Sequence, residues 1–232
     1  MAVRFVLHRP RNSQNIGAAA RALANTSAGS LWAVEPFGYD RSMAARLAAG
    51  ADATLDAMKL VPTLDEALAD CVDVVMTTAR PEDDRLVLEP RETAERLLSA
   101  SGEVAIVFGD EVHGLTNREL ARANVLATIP TTEKRALNLA QAVLIFAYEV
   151  MLGRRTIKPP PPKEDPPAEE RLLALLRARS QALLFSVGFL NPQQPDAVLD
   201  ELMQLLRRAR PTQREAELLL GAHAQLARCL PE

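Results

Sequence analysis

Aromatic residues make up only 4% of the 232-residue sequence, so alanine and leucine must do most of the packing, which favours helices. Two cysteines, Cys71 and Cys229, and three histidines, His8, His113 and His223, stand at no zinc or redox spacing. Both thiols are expected to be reduced, and the histidines to be structural or exposed. No apolar run approaches membrane-spanning length, and MAVRFVLHRP has too short an apolar stretch for a secretion signal. A soluble, cytoplasmic protein is therefore expected. The net charge of −3 excludes a uniformly basic nucleic-acid binder. Also absent are GxGxxG after a strand, GxxxxGK(S/T) and GxSxG, which leaves a Rossmann dehydrogenase, a P-loop enzyme and an α/β-hydrolase without support.

Charge is unevenly distributed. The first 34 residues hold Arg4, Arg9, Arg11 and Arg21 and no acid, and a second basic stretch holds Arg207, Arg208, Arg210 and Arg214. Two such patches suit a polyanion held at a defined place; solvated arginines on exposed faces are an equal reading.

The sharpest boundary is GRRTIKPPPPKEDPPAEE, which carries six of the sixteen prolines and reads as a semi-rigid linker. It divides the chain into a body at 1–153, a linker at 154–167 and a tail at 168–232. In the body, strand candidates VRFVLH, SLWAV, VDVVMTT, VAIVF and VLATI alternate with helical patterns. That alternation predicts an α/β fold with a mainly parallel sheet covered on both faces. The tail has no strand signal and reads as amphipathic helices broken by NPQQP and Pro211.

Three segments carry candidate chemistry. RNSQNIGAAARALANT follows the first strand, with Asn15 expected as helix N-cap and Gly17 allowing close approach of a backbone or ligand. Arg21 is the one charged side chain between Asn12 and Ser30, either an ion-pair partner or a reagent for phosphate or alkoxide. VAIVFGDEVHGLTNREL runs from a strand into a loop bracketed by Gly109 and Gly114, then a helix capped by Thr116. Such a loop offers backbone groups to a ligand at the sheet's C-terminal edge. IPTTEKRALNLAQAVLIFAYEV leads from a strand into a long helix beginning near Leu137, with Asn138 in its first turn.

In this order, N-x-G-x-x-x-R, FG-x-E-x-x-GL and IP…LNLA-x-A resemble the SpoU (TrmH-type) branch of the SPOUT methyltransferases. The likeness covers nearly the whole body. The linker and tail, with GFLNPQQPDAVLDELMQLLRRA, are similar to the C-terminal extension of the TrmJ subgroup. The resemblance implies an α/β body with a C-terminal trefoil knot, a small helical extension and a homodimer with its active site at the subunit interface, where the alanine-rich helix around Gly17 would pack. It implies S-adenosylmethionine-dependent 2′-O-methylation of a tRNA ribose, at nucleotide 32 of the anticodon loop, with no metal. A catalytically silent RNA-binding dimer, or the same chemistry at another tRNA or rRNA position, stays open.

The site residues implied are Arg21, stabilising the developing alkoxide; Asn15, orienting Arg21 or the ribose; Glu111, holding the loop or Arg21; and Asn138. Cofactor contacts would come from Thr77, Thr78, Ala79, Gly109, Ile129, Leu137 and Asn138. Two departures stand out. Ala136 replaces the family's usual serine before LN, removing one hydroxyl, and RNSQ precedes NIG where a His/Pro-Gly pair is more usual.

Overall fold

The computed structural model describes residues 3–80, 85–132, 136–156 and 166–229. Seven parallel strands form one sheet in the order β3-β2-β1-β6-β4-β7-β5. They are β1 (Val3–His8), β2 (Gly29–Val34), β3 (Lys59–Val61), β4 (Cys71–Thr77), β5 (Val87–Leu88), β6 (Glu103–Phe108) and β7 (Val125–Ala127). Body helices are α1 (Ser13–Thr26), α2 (Arg41–Ala48), α3 (Asp52–Asp56), α4 (Leu64–Leu68), α5 (Pro90–Ser99), α6 (Asn117–Leu120) and α7 (Leu139–Thr156).

Strand periodicity of two sorts the core into two layers. Phe5, Leu7, Ile106 and Phe108 point into a cluster with Ile16, Leu23, Leu97, Val143 and Phe146 of α1, α5 and α7. Val6, Val74, Met76 and Val107 point the other way, onto Leu64, Leu68 and Leu120 of α4 and α6. Both faces are thus covered, as the near-continuous valine and isoleucine runs predict. The two edge strands β3 and β5 were not expected. At three and two residues they are too short to show an alternation. Helices α2 and α3 were also missed, because their apolar content is mainly alanine.

α1 begins at Ser13, so its N-cap is Asn12, whose side chain accepts from Gln14 N. The expectation that Asn15 caps it was wrong by one turn. Gly17 answers to a neighbour in the same chain: a Cβ there would sit 1.9 Å from the carbonyl oxygen of Ala44 on α2. The close approach joins α1 to α2, so the backbone that Gly17 admits belongs to the same chain.

The tail contributes α8 (Glu170–Ser186), α9 (Pro195–Ala209) and α10 (Gln213–Cys229). α7 runs to Thr156, three residues past the expected body boundary, and most of the expected linker lies outside the described residues. The tail docks where the strands begin. Arg171 N donates to Ala69 O (2.8 Å), Asn124 joins Val74 N to Arg207 O, and Arg210 pairs with buried Asp73 (3.2 Å). At the centre the Arg207 guanidinium donates two bonds to the Glu170 carboxylate (2.6 and 2.5 Å), both residues 3% exposed.

This placement breaks up both expected basic patches. Arg4 is buried, bidentate to Asp70 (2.8 and 3.0 Å) and stacked 4.0 Å over Trp32. Arg207 and Arg210 face carboxylates in the docking seam. Arg9 and Arg11 likewise pair with Glu119 and Asp110, so of the eight arginines Arg21, Arg208 and Arg214 are left as exposed side chains without an ion pair among the described residues. Burial pushes the Cys71 thiol up to about 12, so it stays protonated, and Cys229 is exposed and free. No described helix is long and apolar enough to cross a membrane.

Candidate active site

Four adjacent strands, β1, β6, β4 and β7, send their following segments out at one edge of the sheet. β6 and β7 enter between strands laid down earlier, so non-sequential neighbours meet there, where open α/β sheets hold ligands. The segments after β6, β4 and β7 enclose a cavity of about 600 Å³, within the range of cofactor sites.

The loop after β6 organises itself. Asp110 Oδ1 accepts from the backbone N–H groups of Val112 and His113 (both 2.8 Å), and Gly114 N returns to Asp110 O (3.0 Å). Gly109 is required for space: a Cβ would meet Gly114 C at 2.2 Å and Leu115 N at 2.4 Å. Gly109→Ala is expected to force this loop open and weaken cofactor binding at least tenfold, measured by calorimetric titration, with the melting temperature read alongside to detect loss of fold.

Because Asp110 closes the loop, Glu111 is left to reach outward. Its carboxylate accepts from Arg11 N (2.8 Å), Asn12 N (3.2 Å) and Asn15 Nδ2 (2.8 Å). Asn15 Oδ1 in turn accepts from Asn138 Nδ2 (3.0 Å), and Asn138 Oδ1 accepts from Ala140 N (2.9 Å), starting α7. A single hydrogen-bonded chain therefore joins all three candidate segments. Two roles expected from sequence change. Glu111 and Asn15 hold each other and the first turn of α1, with no bond to Arg21. Asn138 precedes α7 and does not line the cavity, its amide being used by Asn15 and Ala140.

The expected cofactor residues Thr77, Thr78, Ala79, Gly109, Ile129 and Leu137 do line the cavity, with Glu111 at its wall. The threonine hydroxyls are already engaged, Thr77 Oγ1 with Val107 O and Thr78 Oγ1 with Arg80 O. These residues accordingly offer backbone and methyl groups. Sequence reasoning missed Phe108, Leu139, Ala142 and Phe146, which supply an apolar wall, and Asn117 and Thr131. Phe108 was legible as the last residue of the strand before Gly109. The α7 residues were hidden in an ordinary core pattern. Ala136 also lines the cavity, so the missing hydroxyl is a real difference at the wall.

Arg21 is exposed, has no hydrogen bond or ion pair among the described residues, and does not line its own chain's cavity. It lies in an outward stripe of α1 with Gln14, Ala18 and Asn25, at spacings of four, three and four. α7, packed beside α1, turns Leu144 and Tyr148 outward, each about half exposed.

Glu119 braces the other side of the site. Through the capping box it accepts from Thr116 N (2.7 Å), and it also faces His8 Nε2 (2.8 Å) and Arg9 (2.8 Å) at the end of β1. Burial alone would raise its pKa, but the Thr116 and His8 bonds outweigh it and hold the carboxyl below its ordinary value. Asp110 is lowered likewise, burial being overcome by the His113 and Val112 amides. A lowered native pKa gives stability that is present above the unfolded value, about 4, and lost as pH falls through the native values beneath it. The denaturation midpoint is expected to be flat from neutral pH to about 5 and to drop below about 4; a constant midpoint down to pH 3 would contradict these pairings.

A parallel α/β body with a cavity beyond its strand ends is the arrangement in which open α/β sheets hold small ligands. The chain belongs to the SpoU rRNA Methylase family, whose pattern matches residues 2–148, and residues 167–230 match the tRNA methyltransferase TrmJ C-terminal domain. The tRNA (cytidine/uridine-2′-O-)-methyltransferase TrmJ of Cronobacter sakazakii is 37% identical, over 97% of this chain and 95% of that protein. The tRNA (cytidine/uridine/adenosine-2′-O-)-methyltransferase TrmJ of Pseudomonas aeruginosa is 36% identical, over 94% and 91%. The crystal structure of TrmJ from Z. mobilis superposes with a TM-score of 0.87 at 31% identity, covering 98% of this chain and 100% of that one. The body and helical extension read from the sequence are thus a SPOUT-type α/β fold with its TrmJ-type appendage.

Proposed function

We propose that the protein transfers a methyl group from S-adenosylmethionine to a ribose 2′-hydroxyl of tRNA, at nucleotide 32 of the anticodon loop, as a cytoplasmic homodimer with a trefoil-knotted cofactor site. The observation that carries this reading is the Asn138–Asn15–Glu111 chain, which locks three separate segments around one cavity. The residues fit the cofactor: Phe108, Ile129, Leu139 and Phe146 make an apolar seat for a purine. Thr78, Asn117 and Thr131 place polar groups among them, and Glu111 adds a carboxylate.

When bound, the cofactor supplies an already activated methyl group on a sulfonium, so the protein needs chiefly to align the attack and manage one proton. With the cofactor bound, the cavity residues would hold its methyl group in line with the 2′-oxygen, and the hydroxyl proton would leave to solvent. Arg21 stabilises the charge developing on that oxygen; with a pKa above about 12 it is a poor base and a good fixed cation. Since Arg21 does not line its own cavity, it serves the cavity of a second copy. The short side chains of Ala18 and Asn25 beside it on α1 and the apolar Leu144 and Tyr148 on α7 form the face where the copies meet. Asn15, Glu111 and Asn138 keep the cavity wall and the α1 N-terminus in register.

None of these roles needs a hydroxyl at position 136, which favours turnover over a silent RNA-binding dimer. Position 32 rests on the likeness of the tail to the TrmJ extension: residues 167–230 match that domain, and the Cronobacter sakazakii relative is matched over 95% of its length. Ribose-methylation mapping by mass spectrometry after incubation with unmodified tRNA and cofactor tests the reading. The expected product carries one added methyl on the ribose of nucleotide 32; a methylated base, or binding without incorporation, would sink it.

A further inference from the structure

Phe37 is the most exposed large apolar side chain among the described residues, at 74%. It is one of only six phenylalanines, and the other described ones in the body, Phe5, Phe108 and Phe146, are buried. An isolated exposed apolar residue is ordinary on a protein surface. The position of this one is not. It lies in the six-residue loop Glu35-Pro36-Phe37-Gly38-Tyr39-Asp40, which follows β2 at the same sheet edge as the cavity.

The loop is fixed to the site's own framework. Phe37 N donates to Pro10 O (3.0 Å), Asp40 N donates to Ser13 Oγ (2.9 Å), and Glu35 N donates to Val61 O (3.0 Å). Pro10 precedes Arg11, whose N–H is held by the cavity residue Glu111. Phe37 is therefore carried by the β1–α1 corner, two hydrogen bonds from the cavity wall. Glu35 takes a left-handed backbone (φ 47°), a conformation a glutamate adopts at a cost, so the loop's path is held by these bonds.

The charges around it are mixed. Arg9 and Arg11 stand at the same corner with side chains 36% and 46% exposed, Arg9 paired with Glu119 (2.8 Å) and Arg11 with Asp110 (3.4 Å). Of the loop's two carboxylates, Asp40 is occupied as the N-cap of α2, accepting from Ser42 and Met43 N–H groups. An exposed aromatic face beside partly exposed, ion-paired arginines is a surface on which single-stranded RNA can be held, the ring stacking on a base and the arginine edges reaching phosphates.

We infer that Phe37 is a base-stacking platform that receives an unpaired nucleobase of the RNA substrate next to the methylated nucleotide. This rests on the RNA methyltransferase reading above. Stacking makes no demand on base identity, since every base has a π-face, so Phe37 contributes affinity and register and leaves nucleotide choice to other groups.

The test uses the full-length protein with an unmodified tRNA anticodon stem-loop. Phe37→Ala is expected to raise KM for the RNA about tenfold, the scale of one lost base–aromatic stack. kcat at saturating RNA and cofactor affinity should stay within about twofold, since neither depends on the stack. Phe37→Tyr should restore KM. Phe37→Trp adds a reporter, because Trp32 is the sole native tryptophan and is buried, and its fluorescence should be quenched on RNA addition. An unchanged KM in Phe37→Ala, or an unquenched Phe37→Trp that binds RNA, overturns the stacking role. Loss of dimer in Phe37→Ala by sedimentation also overturns it, assigning the side chain to a contact between copies. If the unsubstituted protein transfers no methyl to RNA, it is the functional reading that has failed.

Discussion

Arg21→Ala is expected to lower the methyl-transfer rate by at least 10²- to 10³-fold, the usual effect of removing one preorganised stabiliser of developing negative charge. Cofactor affinity should stay within about threefold, because Arg21 does not line the cofactor cavity. Stability should hardly change, since an exposed side chain without a partner among the described residues contributes little to the fold. Arg21→Lys should recover part of the rate, keeping the charge and losing the planar fork. Complementation adds a sharper test. At limiting cofactor, Arg21→Ala and Gly109→Ala homodimers should both turn over slowly, but mixed subunits should regain activity. The intact cavity of an Arg21→Ala subunit would then receive Arg21 from its Gly109→Ala neighbour. If Arg21 worked on its own chain's cavity, every mixed dimer would have both sites broken. Recovery on mixing decides between the two.

Arg207→Ala is expected to detach the tail, with a loss of about 3–5 kcal/mol in its docking, as removal of one member of a buried ion pair leaves an uncompensated charge. Glu170, 3% exposed, would keep its carboxylate in a seam with no bidentate partner. Limited proteolysis should then cut between body and tail much faster, and the unfolding transition should split or broaden. The double variant Glu170→Gln with Arg207→Met should recover most of the loss, since a neutral amide and an apolar chain carry no buried charge. If the single variant matches the unsubstituted protein in both measurements, the pair is not what holds the tail.

The docking seam also shows where sequence reading stopped. Arg207 and Arg210 lie in an acid-free run, and local charge counting assigned them to a surface for polyanions. Their partners, Glu170 and Asp73, are 37 and 137 residues away and are reached only through the fold. Arg4 failed in the same way, its acid being Asp70 at the turn before β4. By contrast, the parallel sheet was legible because buried strands need unbroken apolar runs, and VRFVLH, VDVVMTT and VAIVF supply them. Of the cavity residues, Thr77 and Ile129 came from the family resemblance, and Gly109 also from the loop that follows VAIVF.

The candidate site was legible as a set of residues and illegible as a geometry. Asn15, Glu111 and Asn138 were singled out from three distant segments, and the structure brings all three together. Their partners were not legible. The resemblance implied that Asn15 would orient Arg21 or the ribose and that Glu111 would hold the loop or Arg21. Six positions along an α-helix, however, turn Arg21 about 240° away from Asn15, towards a different face. Gly109 was marked for unusual backbone angles, whereas it is needed for the space that Gly114 and Leu115 occupy. Such distinctions depend on what approaches a residue from elsewhere in the chain, and no local pattern contains them.

The most direct test is to incubate the protein with unmodified tRNA and S-adenosylmethionine bearing a labelled methyl group, then map the label by nuclease digestion and mass spectrometry. One labelled methyl on the 2′-oxygen of nucleotide 32 is expected, absent from the Arg21→Ala reaction. Label on a base, or none while the tRNA is bound, would contradict ribose methylation; a ribose label elsewhere would retain the chemistry and overturn the position.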